Sequence, residues 1–356
     1  MASISEFMRS EPSGFATARP LGRRGKPLFA APLNRLLVDD DGQVLVWAVS
    51  DRFSTATITD QFKAEAAEYH RRYAAADHFE ALFRQAIAAA GITAPEAPLI
   101  LDLGSGSGVN SVVPCRRIWP QAWVVATDLS GELLAILADH VRQGPQPDRV
   151  ICVRMDVMSP KITPAAFDLV TGASILHHLD EPNIGIARAA RALKPGGQAI
   201  FFEPFNGWSV LRLALERILA EAALRKAALE PETEQALRRT VEDIAVRSRL
   251  TRKDIDFTQL DDKWLFSRRY IERVAGEAGF VDVAFVPLND HASLYRDTVA
   301  VTLRLNSGRD DLQLPPWALE ILDAHDAALN IEAKRELMLE AAIVLTKGEG
   351  REPRGA

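Results

Sequence analysis

Cysteine is nearly absent: 356 residues carry two, Cys115 and Cys152. Two scattered thiols supply neither a disulfide framework nor a zinc site. One falls in an expected helix and the other in an expected strand, so both read as packed core groups. A basic excess is also lacking. Lys and Arg number 42 against 48 Asp and Glu, a formal charge of −6, which argues against a dedicated nucleic-acid binder. Long apolar runs are missing too. Met1 to Pro32 is broken by Pro, Gly and charge, which leaves no signal-peptide core and no membrane span. The expected location is therefore the cytoplasm, with no membrane partner.

What is present is a composition typical of globular chains, 47% hydrophobic and 25% charged, with length for one large domain or two small ones. Its most informative stretch is Leu99-Ile100-Leu101-Asp102-Leu103, an apolar burst carrying an acid, which opens into Gly104-Ser105-Gly106-Ser107-Gly108. Glycines at alternate positions permit positive φ and close approach of a ligand. A second apolar burst, Trp123 to Ala126, ends at Asp128, 20 residues past Gly108. An acid at that distance, at the tip of the next strand, suits ribose hydroxyls. The dinucleotide fingerprint fails, because its third glycine would fall on Val109, and no lysine stands where a Walker A loop needs one. The pattern points to an adenosine-containing ligand at the carboxyl edge of a parallel sheet.

Asp-x-Gly-x-Gly-x-Gly resembles motif I of the class I S-adenosylmethionine methyltransferases. Further segments follow in that family's order over about residues 61–205. They are Ala126-Thr127-Asp128-Leu129-Ser130, Val150 to Val157 with Asp156, Phe167 to Val170 followed by Thr171 to Leu179, and Leu193-Lys194-Pro195-Gly196-Gly197. The resemblance implies S-adenosylmethionine as cofactor, S-adenosylhomocysteine as product, and no metal. It also implies roles. Asp102 would hold the methionine amino group directly or through water, and Gly104, Ser105, Gly106 and Gly108 would pass under the ligand. Asp128 with Leu129 would meet the ribose and Asp156 with Val157 the adenine. Ala173 and Ser174 would line the site from the loop after the fourth strand, and Tyr69 would reach it from a preceding helix, where Tyr69 and Tyr73 also suit simple core packing.

The implied fold is α/β: a Rossmann-like, seven-stranded, doubly wound sheet with an antiparallel last strand, helical lid insertions and an N-terminal extension. The expected divisions are 1–60, an arm with a β-hairpin turning at Asp39 to Gly42; 61–205, the binding core; 206–269, a helical lid; 270–290, core continued; 291–337, a second helical insertion; 338–347, the final strand; and 348–356, a disordered tail. Phe62 to Ala90 reads as two helices broken near Asp77. Leu193 to Gly197 reads as the turn before the fifth strand. Thr298 to Leu305 has the β-branched residues of a strand, but Ala341 to Lys347 fits the closing strand better.

Methyl transfer is an in-line displacement, so positioning dominates, worth up to ~7–11 kcal/mol. Oxygen or nitrogen acceptors also call for a base, and His177 and His178 end the loop that faces the reacting centre, His177 foremost. Their alternative is loop packing or helix capping. Glu203, His291 and Tyr295 are further rim candidates without a motif. Basic groups at Arg247, Arg249, Arg252, Lys253, Arg268 and Arg269 suit either an acceptor's anionic group or a solvated face. The apolar run from Val210 to Leu219 suits core packing, an apolar pocket or a homodimer contact. The expected function is methylation of a small-molecule acceptor, oxygen or nitrogen ahead of carbon. A protein acceptor and a non-methylating use of the same ligand are the alternatives. Nucleic acid is disfavoured by charge and by Thr171 to Ser174 standing where an Asn/Asp-Pro-Pro-Tyr/Phe run would be.

Overall fold

Five-residue apolar bursts in this chain become strands with both faces covered. Leu99–Leu103 is buried at every position, as a strand flanked by helices on both faces must be. The computed structural model describes residues 8–10, 17–20, 27–49, 62–225, 229–248, 260–288, 291–309 and 311–349. Its strands are β1 (Met8–Ser10), β2 (Thr17–Pro20), β3 (Leu33–Val38), β4 (Val44–Val49), β5 (Leu99–Leu103), β6 (Trp123–Asp128), β7 (Val150–Arg154), β8 (Phe167–Ala173), β9 (Leu193–Pro204), β10 (Phe280–Pro287) and β11 (Glu340–Lys347). They form one sheet in the order β1-β2-β3-β4-β7-β6-β5-β8-β9-β11-β10.

Taken from Leu99 onward, the seven core strands run 3-2-1-4-5-7-6. β5 pairs in parallel with β6 on one side and β8 on the other, with Asp102 opposite Ala126 and Thr171. The chain order reverses there, which opens a crevice beyond the strand ends. The sheet is wider than the expected seven strands. The Asp39 to Gly42 hairpin exists, β3 against β4, but it is not a separate arm: β4 pairs in parallel with β7, Val46 opposite Cys152. β1 and β2 continue the sheet beyond β3 as antiparallel neighbours.

Helices α1 (Ala66–Tyr73) and α2 (Ala76–Ala90) precede the core, and their break falls at Ala74–Ala75 rather than near Asp77. α3 (Val112–Ile118), α4 (Gly131–Gln143) and α5 (Pro182–Ala192) connect the parallel strands. Ser130 caps α4, its hydroxyl accepting from Leu133 N at 3.0 Å. Leu193 to Gly197 is a bulge within β9 rather than a turn before it. Phe167 faces Leu193 and Leu169 faces Gln198, so residues 194–197 stand out of the ladder. Cys115 and Cys152 are free and buried. Among the described residues, no helix is long and apolar enough to cross a membrane.

The chain forms two compact units: one of residues 1–202, 269–286 and 342–356, the other of residues 203–268 and 287–341. The second unit merges what the sequence suggested as two insertions. Its helices are α6 (Gly207–Arg225), α7 (Pro231–Arg247), α9 (Leu294–Ser307), α10 (Pro316–Ala328) and α11 (Ile331–Leu337); α8 (Arg268–Ala278) falls mainly in the first unit. Thr298 to Leu305 is therefore helical. Proline opens α7 and α10, where a missing N–H costs nothing. Leu211 and Leu215 of α6, Leu237 of α7, Leu303 of α9 and Leu322 of α10 share one apolar core. That core, rather than any loop, explains why two segments far apart in sequence fold together. A buried ion pair sits within it: Lys334 Nζ lies 2.8 Å from Asp326 Oδ1, and Asp326 also accepts from the Tyr295 and Arg296 backbone N–H groups at 3.0 and 3.1 Å.

Candidate active site

Three acids end three neighbouring strands. Asp102 is in β5, Asp128 closes β6, and Asp156 follows β7 by two residues. Beyond β5 the chain makes its glycine turn, with φ of +66° at Gly104, +53° at Gly106 and +72° at Gly108. A Cβ on Gly104 would lie 2.3 Å from Ile175 Cδ1, and one on Gly108 would lie 2.2 Å from Leu137 Cδ1. Those two glycines let the turn pack on its own protein. Gly106 differs: a Cβ there meets nothing nearer than Leu133 Cδ1 at 3.9 Å, so its outer side is open to a ligand.

Asp128 holds the turn from β6. Its Oδ2 accepts from Gly106 N at 2.8 Å and its Oδ1 from Ser130 N at 2.7 Å. Burial pushes its pKa up, against the pull of these backbone donors. Each oxygen keeps capacity for a further donor, such as a sugar hydroxyl. Asp156 is half-buried, with Oδ1 accepting from Met158 N at 2.8 Å. Leu129 is half-buried and Val157 is buried. Ser105 is committed to the turn: its N donates to Thr127 O at 2.8 Å and its hydroxyl to Asp102 O at 3.2 Å.

Asp102 is enclosed by the protein. It has 0% exposure, and its carboxylate accepts from Ser111 Oγ and Thr171 Oγ1, each at 2.6 Å. Burial raises its pKa to about 6 despite these donors. Both carboxylate oxygens thus have partners within the protein.

On the other side of the crevice, Ala173 ends β8 opposite Phe202, and Ser174 adopts φ +60° while its N donates to Phe202 O at 3.0 Å. A non-glycine residue held there marks a loop whose shape is imposed by its surroundings. His177 and His178 follow in a short 3-10 turn, their rings 4.1 Å apart. His177 is 7% exposed and His178 half-buried.

The segment before the core crosses these strand ends. Ser130 Oγ donates to Phe62 O at 2.5 Å, and Phe62 meets His178 edge to face at 5.6 Å. Tyr69 packs on Phe62 at 4.9 Å and on Tyr73 at 4.7 Å. His70 Nδ1 is hydrogen-bonded to Ser107 Oγ at 2.8 Å. Asn110 Nδ2 donates to Tyr73 O at 2.9 Å, and Asn110 Oδ1 accepts from Ala75 N at 2.9 Å. Residues 62–75 thus touch the glycine turn, the cap of α4 and the histidine loop. Sequence reading missed His70, Ser107 and Asn110. The one signal was polar side chains inside a turn whose glycines drew all attention.

The next candidates fall in the second unit. Glu203 and Tyr295 are buried, the latter within the helical unit. His291 is exposed, 3.5 Å from Asp297. Arg247 is engaged by Asp243, Asp262 and the Trp264 carbonyl, and Arg268 by Glu336. Those pairings favour a structural use of both. Arg249, Arg252 and Lys253 lie outside the described residues.

Residues 100–197 match the family described as "Methyltransferase domain". The ubiquinone biosynthesis O-methyltransferase of Idiomarina loihiensis is 31% identical over 124 residues, covering 34% of this chain and 49% of that protein. Its namesake in Paracidovorax citrulli is 29% identical over 117 residues, covering 33% and 47%. The chain spans at most about half the length of these curated relatives. Among solved structures, phosphoethanolamine N-methyltransferase 2 of Haemonchus contortus, in complex with S-adenosyl-L-methionine, gives a TM-score of 0.50 at 16% identity, covering 82% of this chain and 58% of that one. That likeness is one of fold.

Proposed function

We propose that the chain is a class I, S-adenosylmethionine-dependent methyltransferase that acts on a small molecule, at oxygen or nitrogen in preference to carbon; the match of residues 100–197 to the family described as "Methyltransferase domain" supports this. The observation that carries this reading is the open side of Gly106, bordered by Asp128 and followed along the strand ends by Asp156. The donor set fits a nucleoside. Asp128 keeps lone pairs for ribose hydroxyls, Asp156 suits an exocyclic amino donor, and the glycine turn leaves room beneath.

Bound S-adenosylmethionine supplies a methyl group on a positively charged sulfur, an electrophile that needs no further activation. The protein's share is position and proton traffic. Phe62, Tyr69 and Tyr73 form an apolar cover on the strand ends, which excludes water. His177 and His178 are the proposed proton acceptors for an acceptor O–H or N–H. His178, half-buried and against Phe62, is the more accessible of the two. As the acceptor is methylated its proton would pass to imidazole, and the bound cofactor would supply the methyl group and the leaving thioether. The ubiquinone-pathway relatives support a small acceptor.

Calorimetry with S-adenosylmethionine and S-adenosylhomocysteine tests the cofactor, and transfer of a labelled methyl group to pooled phenols, carboxylates and amines tests the reaction. Micromolar binding with label transfer to one pool is expected. Absence of binding at millimolar nucleoside overturns the reading. Binding without transfer to any pool, peptide pools included, favours a non-methylating use of the ligand.

A further inference from the structure

Asp156 has the same stretch of chain against both of its flanks. Two residues before it, Arg154 stands opposite Ala48, where β7 runs parallel to β4. Six residues after it, Ile162 bridges antiparallel to Phe29. Two backbone hydrogen bonds close that bridge: Ala30 N donates to Lys161 O at 2.7 Å, and Thr163 N to Leu28 O at 2.9 Å. Its apolar side chains are interior, with Leu28, Phe29 and Ile162 at most 3% exposed. A compact turn links the bridge back to the acid. Asp156 Oδ1 accepts from Met158 N at 2.8 Å, Asp156 O accepts from Ser159 N at 2.9 Å, and Ser159 Oγ accepts from Lys161 N at 3.4 Å. Arg188 of α5 adds a tie from the other side, its Nε donating to Met158 O at 3.0 Å. Parallel pairing brings the carboxyl ends of β4 and β7 to one edge of the sheet, the edge where Asp156 stands. Residues 28–49 precede residue 100, where the family match begins.

We propose that residues 28–49 are a positioning element of the site, which holds Asp156 where it accepts from the amino group of a purine and so sets a preference for adenine. The proposal rests on the nucleoside reading above and adds to it a part that lies outside the matched domain. A carboxylate just past a strand end selects a donor only as well as its backbone is held. With β4 on one flank and the Phe29 bridge on the other, that backbone is fixed before a ligand arrives, which lowers the ordering cost of the contact. Arg154, opposite Ala48, also donates from Nε to Leu129 O at 3.0 Å, next to Asp128. Loosening the Phe29 flank therefore costs the contact to the amino group and spares what rests on the glycine turn and Asp128.

The test compares S-adenosylhomocysteine with its deamino analogue, in which hydrogen replaces the exocyclic amino group of the purine. Kd for each is measured by calorimetry on the full chain, at a temperature where circular dichroism shows each protein folded. Ala30→Pro removes the N–H that reaches Lys161 O, and Ala30→Gly keeps it. Phe29→Leu trims the buried ring, and Asp156→Ala removes the acceptor. Wild type should prefer S-adenosylhomocysteine about tenfold, the worth of one hydrogen bond to a charged group. Asp156→Ala should abolish that preference. Ala30→Pro and Phe29→Leu should narrow it to about twofold with affinity for the deamino analogue unchanged, and Ala30→Gly should retain it. Amide hydrogen exchange over residues 156–163 should quicken in Ala30→Pro and hold in Ala30→Gly. The proposal is overturned if Ala30→Pro and Phe29→Leu keep the full preference while only the melting temperature falls, for residues 28–49 would then merely widen the sheet. Equal weakening of both ligands overturns it too. Should Ala30→Pro not fold, Phe29→Leu decides alone: a narrowed preference supports the positioning role, and a retained one refutes it. Wild type that binds neither ligand overturns the nucleoside reading, and wild type that binds both alike overturns the pairing of Asp156 with the amino group; the proposal falls with either.

Discussion

His70 Nδ1 sits 2.8 Å from Ser107 Oγ, joining helix α1 to the middle of the glycine turn. With Asn110 bonded to Tyr73 O and Ala75 N, this contact ties the segment proposed to cover the site to the glycine turn. Such a cover must part for a ligand to leave. Ser107→Ala removes one exchangeable hydrogen bond worth ~0.5–1.5 kcal/mol. Dissociation of S-adenosylhomocysteine should then quicken several-fold in stopped-flow displacement, with association nearly unchanged. An unaltered off-rate would show that α1 does not gate release.

The three glycines of the turn are not equivalent. Gly104→Ala and Gly108→Ala add left-handed strain and drive a methyl into Ile175 or Leu137, which should destabilise the fold by roughly 1–3 kcal/mol. Gly106→Ala carries the backbone cost, about 1 kcal/mol, with no clash. Its larger effect should fall on nucleoside affinity. Urea titration paired with calorimetry separates the two classes, and equal affinity loss at all three positions would contradict the assignment of Gly106 to the ligand face.

Asp102 also predicts a pH dependence. Burial raises its pKa from 3.8 to about 6, so the folded state binds more protons than the unfolded chain between those values. A raised folded pKa gives stabilisation present at low pH and lost as pH climbs toward the folded pKa. At ~1.4 kcal/mol per pKa unit the change is roughly 2–3 kcal/mol. Relative to Asp102→Asn, which does not titrate, wild type should therefore lose stability between about pH 4 and pH 6–7 in urea titrations. A difference that stays constant, or that shifts in favour of wild type as pH rises, contradicts the burial of a carboxylate without a cation.

For the reaction step, His178→Ala should lower turnover ~10²–10⁴-fold, the range of a lost general base, with cofactor affinity little changed. His177→Ala should act less, because His177 is the more buried ring. Steady-state kinetics with an identified acceptor checks this, and full turnover in both variants would assign the pair to packing.

In the helical unit, Lys334→Met strands Asp326 without its cation, which should cost ~3–5 kcal/mol, as for a broken buried pair. Adding Asp326→Asn should return part of that loss. Thermal melts of the single and double variants would show it, and a neutral Lys334→Met would mean the pair is solvated.

The core strands were legible in the sequence because a strand covered on both faces needs an apolar burst, and the bursts that end at Asp128 and Arg154 mark where the covering stops. The positions of Asp128 and Asp156 followed from the same rule. The helical character of 206–248 was equally plain, since proline and acids mark the start of α7. Other features depend on partners far away in sequence. Nothing in Val44–Val49 announces that it pairs with β7, because a hairpin specifies its own turn and not its outer neighbour. The interior position of Asp102 is set by Thr171, 69 residues on. The merger of two insertions is set by apolar faces that look alike on any amphipathic helix. His70 lies on α1 and Ser107 in the turn, and no spacing rule links them.

The parallel seam between β4 and β7 bears on how this protein can be dissected. In a chain shortened to begin near residue 60, β7 would become a bare lateral strand with its amide and carbonyl row facing solvent, and such strands recruit other chains. β3 and β4 therefore serve as a selvedge, and a fragment cut to begin at residue 60 would be prone to clump before it could be assayed.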